Sequence, residues 1–370
     1  TFVAPASARR PAVVRRPGWA VAAGVFAAVG IASACVVGGE QALLGVKITF
    51  FFLLVAIAAW RCPLDARERD HLVTTLMVTG VVTAVYGIVQ QLLGEARLHS
   101  LGYEYNSTIR FAGGFLRSFS TFEQPFPFGY FVMLVILVGL AQLLEDPRRT
   151  RNRLFLLALP VLALGLASSV VRGAWLGLVA GLLYLAVTRY RVLLLAVPVV
   201  AVGALFLPAG ASDAVLSASS SEERVSGWTS NVERIVEHPF GEGIGATGAA
   251  ASRLAEDGST REVYQPDNYF VKTAIELGVL GLWSFVLLVV AAFGTAHRGA
   301  RLRGADGALG AATAAYVVAA LAASTVSTFF EIFPMEVYFW LLLTVTSGLV
   351  AAPAPAVATS PRRGVALVAS

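Results

Sequence analysis

Apolar runs of about 20 residues, separated by short polar breaks, recur along almost the whole chain. As a helix, a run of that length crosses ~30 Å of hydrocarbon. Ten spans are read, at 18–37, 41–60, 71–94, 126–144, 154–171, 173–188, 191–208, 269–296, 307–329 and 336–352. The pattern is interrupted at length once, at residues 209–268, before the chain re-enters as YFVKTAIELGVLGLWSF. The expected fold is an all-α polytopic membrane protein of about ten transmembrane helices. It would have a terminal segment 1–17, a membrane domain 18–352 with one long loop 209–268, and a tail 353–370. The tail's Ala- and Pro-rich start (AAPAPAVATSPRRG, from Ala351) predicts disorder. The first apolar run is too long for a cleavable signal and lacks a clear cleavage site, so it reads as a span. Thr1 where Met would stand suggests a trimmed or incomplete N-terminus.

Composition agrees: 57% of residues are hydrophobic and 14% charged, against roughly a quarter charged in soluble domains. Most arginines fall in alternate breaks: Arg9–Arg16, Arg61–Arg69, Arg148–Arg153, Arg189–Arg191, Arg298–Arg303 and Arg362–Arg363. By the positive-inside rule these segments and both termini are cytoplasmic, and the long loop is extracytoplasmic, on a plasma (inner) membrane. The net charge of +5 resides in those arginines and requires no nucleic-acid partner. The loop is acidic, with ten carboxylates against four arginines. Cys35 lies in the first span and Cys62 on the cytoplasmic side, so no disulfide framework is expected, and no metal-ligand spacing or cofactor motif is found.

Three outward segments remain. Residues 95–125 are rich in Gly, aromatic and hydroxyl residues, SSVVRGAW (168–175) is a tight hairpin, and the third is the long loop. Within the loop, SEERVSGWTSNVERIVEH places Val225, Trp228, Val232, Ile235 and Val236 along one side of an amphipathic helix, suited to a membrane surface or a cavity lid. HPFGEGIG then breaks it. GEGIG lacks the βαβ context of a dinucleotide site and reads as a tight turn for close backbone approach.

Arg110, Arg117, Arg172 and Arg224 lie in these outward segments, where the positive-inside rule does not ask for them. A planar guanidinium with five donors suits phosphate or diphosphate; the plainer reading is snorkelling or pairing with a loop carboxylate. Lys272 and Glu276, four apart on the span after the loop, read as a local ion pair or as a cavity-mouth carboxylate orienting an arginine or a hydroxyl. Asp267 can cap that helix or act as a base. His238, with His99, is one of two histidines placed outside. Neither a zinc cluster nor a serine-hydrolase elbow is present in the sequence.

Four segments resemble the O-antigen ligase and polymerase superfamily of integral-membrane glycan ligases and polymerases. They are RSFSTFEQPFPFGYF (117–131), SSVVRGAWLGLVAGLL (168–183), ERVSGWTSNVERIVEHPFGEGIG (223–245) and PDNYFVKTAIELGVLGL (266–282). They occur in the family's order, with the long loop between the right spans. The resemblance implies a GT-C-like fold and metal-independent transfer of a glycan from a polyprenyl-diphosphate carrier to a glycan, lipid or wall-polymer acceptor. The family's diphosphate-holding arginines correspond to Arg117, Arg172 and Arg224. Asp267, Arg224, Arg172 and Glu276 are the expected catalytic set; Arg117, Arg110, Asn268, Trp228, His238, Gly243 and Gly245 are the expected substrate contacts. Where the family has His-Asn, this chain has Asp267-Asn268. An aspartate can accept the acceptor proton, with an unperturbed pKa of ~3.9. Trp228, Tyr103, Tyr105 and Tyr264 could stack on sugar faces. Two rival readings stay open: a transporter or flippase of lipid-linked glycan, and a non-catalytic partner in envelope polysaccharide assembly.

Overall fold

The computed structural model describes residues 16–105, 108–112, 114–205, 231–256 and 264–351. The elements are α1 (Ala20–Val37), α2 (Gly39–Phe50), α3 (Leu53–Arg61), α4 (Ala66–Ser100), β1 (Arg110–Ala112), β2 (Phe115–Arg117), α5 (Pro125–Glu145), α6 (Thr150–Ser169), α7 (Arg172–Thr188), α8 (Ala196–Leu205), α9 (Gly248–Glu256), α10 (Tyr269–Ala300), α11 (Gly304–Ser324) and α12 (Met335–Ala351). Residues 231–237 are also helical. Arg224, Trp228 and most of the expected amphipathic helix lie outside the described residues. So do the 353–370 tail and much of the 209–268 loop.

The expectation of an all-helical membrane protein holds, but the expected ten spans are not all full-length. Among the described residues six helices are long and apolar enough to cross a membrane, α1, α4, α5, α6, α10 and α11. A seventh arises if α2 and α3, bent by 45°, count as one. The predicted spans 173–188, 191–208 and 336–352 correspond to shorter apolar helices, Arg172–Thr188, Arg191–Val202 and Met335–Ala351. Hydropathy registers apolar content but not the breaks that shorten a helix. One long helix is also interrupted: α10 breaks at Gly278, φ 66°, ψ −166°, two residues after Glu276.

Helices α5 and α11 form the centre, with 89% and 83% of their most apolar 18-residue stretches buried. Apolar residues all round an element suit such a position. Since lipid tails offer no hydrophobic drive between helices, close packing comes from small residues. Gly173, Gly177 and Gly181 make one stripe along α7, facing in turn Tyr130, Met133 with the Ala319 carbonyl, and Leu137 with the Ala315 carbonyl. That stripe fixes the height and rotation of α7 against α5 and α11, and so the position of Arg172 at its first turn.

At the end of the bundle formed by turns 145–150, 188–191 and 300–304, carboxylates meet the arginines. Arg149 and Arg151 pair with Asp70 at 2.5 and 2.7 Å, Arg69 with Asp306 at 2.9 Å, and Arg189 with Glu145 at 2.7 Å. Arg189 also donates to the Ala300 and Leu302 carbonyls. At the other end, β1 and β2 pair as an antiparallel hairpin above a small core of Leu98, Ile109, Leu116 and Phe119.

Candidate active site

The hairpin is pinned by amide side chains from α4. Gln90 accepts from the Phe119 and Ser120 amides at 3.1 and 2.7 Å and donates to the Ser120 carbonyl at 2.9 Å. Gln91 donates to the Leu116 carbonyl and the Ser118 hydroxyl at 2.8 and 2.7 Å. The Ser118 amide donates to the Ser168 carbonyl at 2.8 Å, docking the strand on the α6–α7 corner. Buried amides need such partners, and these bonds fix the backbone on both sides of Arg117. Gln90 and Gln91 were missed in the sequence; two adjacent glutamines near the end of an apolar span were the signal.

This docking brings three of the expected arginines together. Arg110 lies directly opposite Arg117 in the hairpin register, roughly 4.5–5.5 Å apart at Cβ for such a pair, and like charges placed there destabilise a sheet. The half-buried Arg117 donates to the Ser169 carbonyl at 3.2 Å and lies 4.7 Å from the Phe126 ring centre. Arg172 is the first residue of α7 and is exposed. Burial first, then the charges of Arg110 and Arg172, hold the Arg117 guanidinium below its ordinary range, at about 10. Among the described residues no carboxylate forms an ion pair with Arg117.

A cation at a helix start also opposes the helix dipole, whereas an anion there is favoured by the dipole and by the free first-turn amides. The corner is backbone-strained as well. Val170, a β-branched residue, sits in the left-handed region at φ 51°, a conformation that persists only where the surroundings enforce it. Arg110, Arg117 and Arg172 thus gather at one enforced corner.

Asn268 and Asp267 stand at the start of α10, and the expected helix cap needs a correction. Asn268 is the cap, its Oδ1 accepting from the Phe270 and Val271 amides at 2.8 and 3.2 Å. Asp267 is exposed and makes no ion pair or hydrogen bond among the described residues. The Asn268 amide donates to the Thr325 carbonyl at 3.2 Å, joining this turn to the end of α11. Two residues on, Ser327 shares a hydrogen bond of 2.7 Å with Tyr130, and a Cβ on Gly173 would overlap the Tyr130 hydroxyl. The turn holding Asp267 is therefore linked to the residue beside Arg172.

The other expected site residues occupy a second, buried neighbourhood. Glu276 is 2% exposed. Its Oε1 accepts from the Thr247 amide and hydroxyl at 3.1 and 3.0 Å, and its Oε2 from Lys272 at 2.6 Å. Lys272 also lies 3.1 Å from Glu331. Lys272 and Glu276 form the expected local ion pair, and Glu276 is buried. Burial foremost pushes the Glu331 carboxyl above the usual range, with Lys272 opposing.

The glycine-rich run docks at the α10 break. Glu242 and Gly243 amides donate to the Ile275 and Glu276 carbonyls at 2.8 and 3.0 Å, and the Val279 amide donates to the Pro239 carbonyl at 3.0 Å. Gly241 and Gly278 have no room for a Cβ, each lying against the other's backbone segment. Gly243 and Gly245 pack on Val37 and on Gln41–Gly45, so their observed contacts are with α1 and α2. His238 is exposed, its Nδ1 3.3 Å from the Arg234 carbonyl. Tyr264 is engaged by the loop itself, its hydroxyl donating to Asn231 at 2.5 Å and Arg234 lying 5.0 Å from its ring centre.

Residues 154–286 match the family model described as O-antigen ligase. The match takes in Arg172, Asp267, Asn268 and Glu276, while Arg110 and Arg117 precede it. No curated protein matches the chain. With its apolar helices and this domain, the chain is a membrane-embedded protein whose match supports placement in the O-antigen ligase and polymerase superfamily.

Proposed function

We propose that the protein is a membrane glycosyltransferase that moves a glycan from a polyprenyl-diphosphate carrier to an acceptor hydroxyl on the outer face of the plasma membrane. It would act as a polysaccharide polymerase or an O-antigen-ligase-like enzyme. The observation that carries this reading is the cluster of Arg110, Arg117 and Arg172 at the strained start of α7. As the acceptor oxygen bonds to the anomeric carbon, the bond to the diphosphate breaks and negative charge builds on the leaving group. Guanidinium groups already held in place stabilise that charge without reorganising. Asp267, exposed at the head of α10, accepts the acceptor proton, and Asn268 fixes the backbone beside it. Arg224 and Trp228 complete the donor side in this reading.

Arg117→Ala and Arg172→Ala should each abolish surface polymer while the amount of protein in the membrane stays normal. Polymer of parental amount and length in both variants would reject the reading. Broken helices form many transport sites, so the bend between α2 and α3 and, above all, the break in α10 favour a transporter. At the α10 break, however, the backbone of 239–243 meets the freed groups. Glycan flux in liposomes without bond formation would reverse the ranking.

A further inference from the structure

We propose that Tyr130, a residue outside the expected catalytic and substrate-contact sets, is a positioning residue for this reaction, holding the leaving-group site in register with the acceptor site. The inference rests on the proposed function above.

Tyr130 is fully buried at the start of α5, with its ring edge against Phe329 at 4.9 Å between centres. It therefore does not touch substrate. Its hydroxyl sits where three elements meet: its own helix, the Gly173 backbone next to Arg172, and Ser327 beyond the end of α11. Proton accounting sets the direction of the bond. The Ser327 hydroxyl has one hydrogen and donates it to the Ala323 carbonyl at 3.0 Å, so Tyr130 donates to Ser327 Oγ. The same turn offers the Thr325 carbonyl to Asn268. One buried hydroxyl thus links the Arg172 corner to the turn that carries Asp267, and nothing larger than glycine fits at residue 173 while it is there. A nonpolar ring would have filled the core equally well. The hydroxyl must be satisfied where it lies, and among the described residues its partner is Ser327, on the acceptor side.

Tyr130→Phe deletes only that oxygen. Two readouts separate positioning from general support: affinity of the solubilised full-length protein for undecaprenyl diphosphate, and polymer yield in cells carrying the variant. Affinity should stay within about twofold while yield falls roughly tenfold or more, as for a misplacement of reacting groups. Ser327→Ala should give the same pair of results, and the double variant no further loss. Parental yield in Tyr130→Phe overturns the proposal. So does a loss of affinity equal to that of Arg117→Ala, which would make Tyr130 part of the arginine scaffold alone. If Tyr130→Phe fails to accumulate, Ser327→Ala decides by the same two criteria. Should Arg117→Ala and Arg172→Ala keep both affinity and yield, the glycosyltransferase reading itself fails, whatever Tyr130 does.

Discussion

Replacing Lys272 with Met tests whether the buried charge group holds the loop to the bundle. Lys272 is 3% exposed and faces two carboxylates, Glu276 Oε2 at 2.6 Å and Glu331 Oε1 at 3.1 Å. At an effective dielectric of about 20, these attractions amount to about 6 and about 5 kcal/mol. Desolvating each ion costs several kcal/mol in return. Lys272→Met removes both attractions yet leaves both carboxylates buried, so the expected net loss is about 3–5 kcal/mol. Glu331→Gln is the contrasting change, because it leaves Lys272 and Glu276 as a balanced pair and should cost less than about 1 kcal/mol. It should also change the pH dependence. The folded protein holds the Glu331 proton more tightly than the unfolded chain does. The parent therefore pays no penalty below the unfolded value of 4.5 and a growing one as pH rises from there to the folded value. Glu331→Gln should remove that decline. Equilibrium unfolding in SDS–detergent mixtures, measured from pH 4 to 8, reads both effects. Equal losses for the two variants at pH 7 would refute the charge accounting, as would a Lys272→Met protein of parental stability.

Two further outcomes follow from the site. Asn268→Ala should cost about 1 kcal/mol as a lost helix cap and lower polymer yield, whereas Asp267→Asn should leave stability unchanged and lower yield alone; intact yield in Asp267→Asn removes Asp267 as the base. Because burial foremost holds Arg117 at about 10, below its ordinary range, the unfolded chain binds more protons from there upward. Stability should therefore rise as pH passes through about 10, and the rise should be smaller in Arg117→Met, read as the difference between two unfolding curves.

Much of this was legible from the chain. The apolar segments and their order follow from hydropathy, but not which of them run the full width of a membrane, because hydropathy does not register the breaks that shorten a helix. The arginines 110, 117 and 172 stood out because topology gave them no reason to be where they are. Their mutual proximity was not legible, since it depends on Gln90, Gln91 and Ser118 bonding to distant backbone. The ion pair of Lys272 and Glu276 was legible from their spacing, but the fold-back of Thr247 over Glu276 was not, because sequence distance says nothing about it. The cap was assigned one residue early, because Asp and Asn share the same propensity and only the φ/ψ of residue 268 separates them. Tyr130 gave no signal at all: within FPFGYFVML an aromatic residue reads as core.

The backbone ladder at the α10 break has a mechanical consequence. Residues 239–243 and 275–279 are stitched by three main-chain hydrogen bonds, with no side chain to rotate out of the way. That half of the loop and the first two turns of α10 must consequently travel as one body, Asn268 included. In the proposed reaction this side is a fixed wall, and any opening that admits a lipid-linked donor would have to be hinged elsewhere.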